Sequence, residues 1–443
     1  MPAESQMKPT MTIQGVKSRR WRDRIVEMAQ HTRQAADVLG QASTDAKNAT
    51  LTRMARLLET RADEIVAANT RDIEIATKRG IESRLLERLR FDHDKVTARV
   101  NALRAIAHLP DPLAEEETVF TGDGLTVKKR RVPIGVIGMI YEARPHVTVN
   151  AGALCVKAGN AVLLKGGSEA LRCNRLLGAL WQEALEGAGL PASAIQVIAS
   201  SDRRVVRRLL ALDELVDLII PRGGPQLIRA VAGGTRIPVI KHSQGICHVY
   251  VDAQADPGKA CAIVLDSKTY APSVCNATET VLVHRDIAPA FLPGLGEALR
   301  AAGVEVRGCE RTWALLPWAV PATEGDWDTE HLDLVLGVRI VDTLDEALAH
   351  IARYGSRHTD AIVSEDSDCV ERFVREVDSG VVLSNASTMF NDGSRLGMGA
   401  EIGISADKIH ARGPMGLREL TCQKWVIEGD GHVFAQPART AQC

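Results

Sequence analysis

The stretch SKTYAPSVCNATET sets Cys275 between a Pro-Ser-Val turn and an Asn-Ala-Thr segment that runs into the β-branched TETVLVH, residues 278–284. A thiol at such a loop-to-strand junction is either a small packing residue or a nucleophile at the bottom of a cleft. Its polar surroundings, Ser273, Asn276 and Thr278, point to the nucleophile. Cys155, Cys261 and Cys309 stand in apolar or helical surroundings and read as buried hydrophobes. Lys268 precedes Cys275 and no basic residue follows within five positions, so the sequence displays no base for the thiol.

Three further stretches carry chemistry-bearing residues. In AVLLKGGSEA (161–170) an apolar strand ends in Lys165, a Gly-Gly turn follows, and Ser168 opens a helix. Parallel sheets bind ligands at the carboxyl ends of their strands, where helix N-termini present N–H groups. Lys165 is placed to meet a ribose hydroxyl or a 2′-phosphate; a structural turn with a capping Ser has the same pattern. DLIIPRGGPQLI (217–228) repeats the arrangement, with Gly223 and Gly224 between strand and helix but without the GxGxxG spacing. In GMGAEIGISADKIHARGPMG (397–416), Arg412 is suited to grip a carboxylate or phosphate bidentately, or to stiffen a surface loop through salt bridges.

The elements that must position these residues alternate. Residues 20–107 read as mostly helical, after a leader expected to be disordered over 1–20 with a helix beginning near Ser18. Beyond residue 148, apolar runs at 161–165, 195–199, 216–220 and 237–240 are separated by helical stretches. A second set follows at 248–252, 280–284, 337–342, 361–364 and 380–385. Short apolar strands alternating with amphipathic helices indicate parallel sheets covered on both faces, here two α/β units with a boundary near 243–247. Outside that rhythm lie two Gly-Asp-Gly turns. Gly122-Asp123-Gly124 opens a charged strand (125–132) followed by an apolar one (134–140), and WVIEGDGHVF (425–434) reads as strand, turn, strand. Exposed hairpins are marginal alone, so an oligomerisation arm is expected. The basic run 128–131 fits strand-edge protection better than a phosphate patch.

The bulk numbers exclude several classes. The chain has 443 residues, 25% of them charged, and a formal net charge of −2, against a general nucleic-acid or membrane-surface role. No apolar run approaches the length of a bilayer span, and the N-terminus lacks a secretory apolar core. Nine cysteines without a CxxC pair or Cys/His metal spacing indicate a reduced, cytoplasmic chain with no metal. At 4% aromatic content, stacking on single-stranded nucleic acid is not expected.

Taken together, PSVCNATETVLVH, IGVIGMIYEARPHVTVNAGALCVKAGNAVLLKGGSEA, YGSRHTDAIV and EIGISADKIHARGPMGL closely resemble the γ-glutamyl phosphate reductases (glutamate-5-semialdehyde dehydrogenases) of the aldehyde dehydrogenase superfamily, over about residues 25–432. The resemblance implies an aldehyde-dehydrogenase-like α/β fold with two parallel-sheet domains and an oligomerisation hairpin. Its domains would be a Rossmann-like cofactor domain at 21–120 and 145–245, a catalytic domain at 246–395, and a hairpin at 121–144 and 420–436. It implies reduction of glutamyl 5-phosphate by NADPH to glutamate 5-semialdehyde and phosphate, in proline biosynthesis, through a thioester on Cys275. It also implies a cytoplasmic homodimer or homotetramer and a contact with glutamate 5-kinase.

Residue by residue, the resemblance makes Cys275 the catalytic thiol and Lys165, Ser168, Gly223, Gly224 and Glu330 the cofactor-binding set, with Glu330 on the nicotinamide ribose. Arg144 and Arg412 are the candidates for the substrate carboxylate. Related reductases read Arg-Pro-Asn-Val-Thr-Val-Asp where this chain has ARPHVTVN, so His146 and Asn150 replace Asn and Asp. His146 would then donate to the oxyanion through a ring N–H, alongside the backbone N–H of Cys275. Hydrolytic relatives activate water with a Glu whose region corresponds to KHSQGICHVYVD (241–252), which has no carboxylate before the strand. That absence favours acyl-phosphate reduction over oxidation to a free acid.

Overall fold

The computed structural model describes residues 13–241 and 244–433, the side chains of 13–20 and of 84 excepted. Residues 1–12 of the expected leader and the end of the expected hairpin beyond 433 lie outside the described residues. The described chain falls into two compact units. One runs to Ile220 and includes Gly234–Pro238 and the segment from Leu417; the other comprises Pro221–Gly233 and Val239–Gly416. The crossing at Ile220–Pro221 comes earlier than the 243–247 boundary expected from the strand rhythm. Arg222 belongs with the later unit because its guanidinium lies against Gly403, where an added Cβ would sit 3.0 Å from Nη1.

The first unit opens with helices, Ile13–Gly40, Thr44–Thr60, Ala62–Lys78, Ser83–Leu89 and His93–His108, so helix begins before Ser18. Two begin at caps of the expected kind: Ser43 Oγ accepts from Ala46 N–H and Asp92 from Lys95 N–H. Strands β1 (Glu116–Gly122) and β2 (Leu125–Pro133) form a hairpin. Asp123 and Gly124 at its turn have φ of 53° and 78°, the left-handed pair a two-residue loop requires. Then β3 (Val136–Tyr141), β4 (Ala161–Gly166), β5 (Ile195–Val197) and β6 (Leu218–Arg222) form a sheet ordered β5-β4-β3-β6. Strand order reverses at β3, the position where doubly wound sheets open a ligand crevice. The apolar run 237–240 is not a strand of this sheet: only Val239 makes an isolated bridge. Pro238 limits its strand-forming ability, lacking an N–H, and its carbonyl accepts from Ile219 N–H.

The second unit is built on β7 (Cys247–Val251), β8 (Thr278–His284), β9 (Glu305–Gly308), β10 (Val320–Pro321), β11 (Val335–Val341), β12 (Thr359–Val363) and β13 (Val381–Ser384), ordered β10-β9-β11-β8-β7-β12-β13. The pairings are parallel. β7 is buried at every position, as expected of a central strand covered on both faces. β9 and β10 escaped the sequence reading because they are short, four and two residues, and carry little apolar signal. A small antiparallel pair, β14 (Ile404–Ser405) with β15 (Gly413–Pro414), closes this unit.

β16 (Thr421–Glu428) then joins the first unit's hairpin, pairing along β2, so the two expected hairpins are one three-stranded sheet ordered β1-β2-β16. No strand follows β16 among the described residues. β2 is therefore a central strand, and its basic run answers acidic neighbours rather than guarding an edge. Lys128 pairs with Glu116 at 3.2 Å and Glu428 at 3.0 Å, Arg130 with Glu116 and Arg131 with Glu115.

Candidate active site

The nucleophile loop lies at the amino-terminal edge of the second unit's sheet. The segments entering β7, β8, β11 and β12 meet there. The helix Pro257–Thr269 leads into the loop: Asp256 caps it by accepting from Lys259 N–H, and Pro257 occupies its first turn. Cys275 itself is partly exposed, whereas Asn276 and Ala277 are buried. The thiol is not sealed in hydrocarbon.

Four ties fix this loop. Gly245, two residues before β7, passes so close that an added Cβ would lie 1.9 Å from the Cys275 carbonyl oxygen and 2.8 Å from its Cα. Cys247 Sγ donates to the same carbonyl at 3.3 Å and lies 3.7 Å from His358 Nδ1. Asn276 Nδ2 donates to the carbonyls of Thr388 and Asn391, both at 3.2 Å. Lys268 and Glu279, one on each side of the loop, form an ion pair at 2.9 Å with side chains 0% and 1% exposed. Burial pushes the Glu279 carboxyl up to about 7, against the opposing pull of Lys268. Its other oxygen accepts from Leu332 N–H at 3.2 Å, and Leu332 holds φ at 55°, uncommon for a non-glycine residue.

Two residues away, Glu330 Oε1 accepts from Gly245 N–H at 2.8 Å. The expected ribose ligand is thus also the anchor of the strand that presses on Cys275. Cys247 is fully buried and desolvation drives its thiol well above the ordinary range, so it is no competing nucleophile. Burial likewise lowers His358 to about 4, which keeps its ring neutral. Cys247, Gly245, His358 and the Lys268–Glu279 pair were not singled out in the sequence. KHSQGICH and YGSRHTD were in view, but nothing local shows that they converge behind Cys275.

The expected carboxylate gripper Arg412 is committed elsewhere. Its Nη1 donates to Asp378 Oδ1 at 2.6 Å, Nη2 to Asp378 O at 2.9 Å and Nε to Ala406 O at 3.2 Å. Of the two sequence alternatives, the structure realises the salt-bridged loop, in which Lys408 also pairs with Asp378.

In the first unit, the carboxyl ends of β3 and β4 bring another group together. Register pairs Tyr141 with Gly166, so the 142–146 segment lies beside the Lys165–Glu169 turn. Glu169 Oε1 accepts from Ala143 N–H at 2.6 Å, and Ala143 carries φ of 40°. Strained residues of this kind are concentrated at functional sites. Lys165 is 7% exposed and donates from Nζ to Gly166 O; burial lowers its pKa while Glu169 opposes the shift. Ser168 is exposed in a single 3-10 turn, and Arg144 and His146 are half-buried at the start of the helix Pro145–Lys157. Asn150, the second departure, accepts from Arg99 Nη1 at 3.1 Å and so ties two helices.

Gly223 and Gly224 follow β6 and precede the helix Pro225–Ala232. Gly224 has φ of −70°, and an added Cβ would meet nothing within 4 Å. Neither backbone conformation nor packing demands glycine there. Among the described residues, no group of three or more His, Cys, Asp or Glu is placed to hold a metal ion.

Residues 10–310 match the sequence profile of the aldehyde dehydrogenase family. A γ-glutamyl phosphate reductase of Meiothermus ruber is 52% identical over 406 residues, 91% of this chain and 97% of that protein. The chain belongs to the aldehyde dehydrogenase family. Among solved members, the γ-glutamyl phosphate reductase of Thermotoga maritima superposes with a TM-score of 0.90 at 43% identity, covering 93% of this chain and all of that one. An acetylating aldehyde dehydrogenase from Geobacillus thermoglucosidasius, 18% identical with a TM-score of 0.67 over 94% of this chain and 98% of its own, shares the fold. Family members use a nicotinamide cofactor and are typically oligomeric. No helix among the described residues is long and apolar enough to cross a membrane.

Proposed function

We propose that this chain reduces L-glutamyl 5-phosphate to L-glutamate 5-semialdehyde and phosphate, the second step of proline biosynthesis, with NADPH as reductant. The observation that carries the reading is a partly exposed Cys275 on a loop fixed by buried polar ties, in a chain 52% identical to a γ-glutamyl phosphate reductase.

Cys275 as thiolate attacks the acyl carbonyl, and phosphate departs with the bonding electrons to leave a thioester. Bound reduced nicotinamide supplies the hydride that converts the thioester carbonyl to the aldehyde oxidation level. The resulting thiohemiacetal on Cys275 collapses, releasing the aldehyde and regenerating the thiolate. Each tetrahedral stage carries an oxyanion, and losing one preorganised donor costs roughly 10²–10³ in rate. The Cys275 backbone N–H would be the first donor. Lys165, Ser168, Gly223 and Gly224 would hold the nucleotide, Lys165 supplying the cation for a 2′-phosphate, and Glu330 its ribose. Asp252, the one carboxylate of 241–252, accepts from Tyr250 Oη, Ser364 Oγ and Gln254 N–H. In the reverse, oxidative direction phosphate rather than water would take the acyl group from Cys275, which fits a stretch without a water-activating base.

The same reading makes the protein a cytoplasmic homodimer or homotetramer that receives its acyl phosphate from glutamate 5-kinase. The β1-β2-β16 sheet supports self-association: Phe120, Val127 and Ile427 stand opposite one another across its strands, with Phe120 52% and Ile427 64% exposed. Run in reverse with pyrroline-5-carboxylate, phosphate and NADP, purified protein should form NADPH. Cys275→Ser should lower that rate at least about 10³-fold. Turnover without phosphate in the unsubstituted protein would remove the reading.

A further inference from the structure

At the end of the helix that precedes the nucleophile loop, the second unit has a half-open cavity of about 360 Å³ whose polar and aromatic lining is exposed. One wall is Asp266 and Tyr270, at the end of the helix that leads to Cys275. The other is Phe390, Asp392, Ser394 and Arg395. The two Asn276 hydrogen bonds to Thr388 and Asn391 join this second wall to the residue after the nucleophile. Asp392 is oriented by accepting from Ser394 N–H at 2.8 Å and from the Ser394 hydroxyl. Among the described residues, Arg395 and Asp266 have no ion-pair partner. One guanidinium, two carboxylates and two aromatic rings therefore face a space large enough for a small amino acid.

We propose that this cavity recognises the α-amino-acid end of the substrate, Arg395 taking the α-carboxylate and Asp266 with Asp392 the α-ammonium. The proposal rests on the acyl-phosphate reading of Cys275 and assigns the substrate contacts that reading lacks. A guanidinium fork matches a carboxylate bidentately. Two carboxylates beside it suit an ammonium and repel a second anion. Tyr270 and Phe390 flank the space between the charges, where the methylene stem would lie. A site built around polar ends discriminates strongly, because a substrate lacking them leaves its charged groups without partners.

Three aldehydes separate the roles: glutamate 5-semialdehyde has both α-groups, 5-oxopentanoate has the carboxylate alone, and propionaldehyde has neither. Phosphate-dependent oxidation of each is compared in the wild-type protein, Arg395→Met and Asp266→Asn/Asp392→Asn, with melting curves as the check on folding. Arg395→Met should raise KM at least tenfold for the first two aldehydes and leave propionaldehyde within twofold. The double Asn variant should raise KM for glutamate 5-semialdehyde alone. Equal losses on all three aldehydes, or an unchanged KM for glutamate 5-semialdehyde, would overturn the assignment. If the wild-type protein oxidises none of them, the reading of Cys275 falls. Calorimetric titration with L-glutamate then decides the subsite, binding lost in Arg395→Met supporting it and binding unchanged or absent from the wild-type protein refuting it. Arg395→Lys keeps the charge without the fork and gives the same comparison should Arg395→Met fail to fold.

Discussion

Two edges of two parallel sheets hold the candidate site residues, and they are built in opposite ways. Cys275 stands before β8, at the amino-terminal edge of its sheet, where Gly245, Cys247, Asn276 and the Lys268–Glu279 pair hold it through buried contacts from several segments. Lys165, Ser168 and Gly224 stand after β4 and β6, at the carboxyl edge of the other sheet, in turns that leave Ser168 exposed and the space over Gly224 open. A covalent nucleophile must return to one position on every turnover, so its neighbours are locked by packing. A cofactor must leave, so a turn that is to hold one needs donors and room. The contrast makes distinct forecasts for substitutions on each edge.

Short of removing the thiol itself, the largest effect belongs to Gly245→Ala. Its Cβ would overlap the Cys275 carbonyl, a backbone group with no rotamer to escape into. The loop must move by an ångström or more, and displacement on that scale costs about 10²-fold in rate. We expect kcat to fall by about that factor and iodoacetamide labelling of Cys275 to change, with a smaller rise in KM for NADPH because the Gly245 N–H also holds Glu330. Unchanged kcat in a folded Gly245→Ala protein would show that the close approach does not set the thiol.

Lys268→Met tests the same edge through charge. Removing one partner of a fully buried pair typically costs about 3 kcal/mol or more. Glu279 is already raised from 4.5 to about 7 by burial, and loss of Lys268 raises it further. A carboxyl whose folded pKa exceeds its unfolded value binds a proton on folding. Stability from this group therefore increases as pH falls from about 7 toward 4.5 and is lost as pH rises. Melting temperatures of Lys268→Met should recover on acidification from pH 8 to 6, more steeply than wild type. The uncharged pair Lys268→Met/Glu279→Gln should lack that extra slope. Parallel pH profiles for all three would detach the carboxyl from the effect.

Much of this was legible before the structure. Periodicity gave most strands of both sheets because each is a short apolar run; it missed β9 and β10, whose Glu305–Gly308 and Val320–Pro321 carry little apolar signal, and read 237–240 as a strand despite Pro238. Cys275 was found because its neighbours are polar where other cysteines have apolar ones. What surrounds it was not legible: Gly245 looks like any loop glycine until the Cys275 backbone is placed against it, and Lys268 and Glu279 look like solvated charges until both prove buried. Arg412 shows the converse. A lone Arg in a Gly-rich loop suggests an anion, and only the fold reveals Asp378 already there.

The smallest effect on the fold, and the sharpest on the comparison, is Gly224→Ala. Its φ of −70° and ψ of 166° are ordinary for alanine, and the added methyl meets no protein atom within 4 Å. Replacing glycine at a helix N-cap by alanine costs up to about 1 kcal/mol, so the melting temperature should shift by only a few degrees. The methyl does, however, enter the space a nucleotide phosphate would need in order to reach the turn. KM for NADPH should rise about tenfold, equivalent to ~1.4 kcal/mol, with labelling of Cys275 unaltered. Gly245→Ala and Gly224→Ala thus differ in signature: one acts first on the thiol, the other weakens the cofactor and spares the thiol. A Gly224→Ala protein with unchanged KM would mean that this turn only connects β6 to its helix, and the phosphate contact would have to be sought at Lys165 and Ser168 alone.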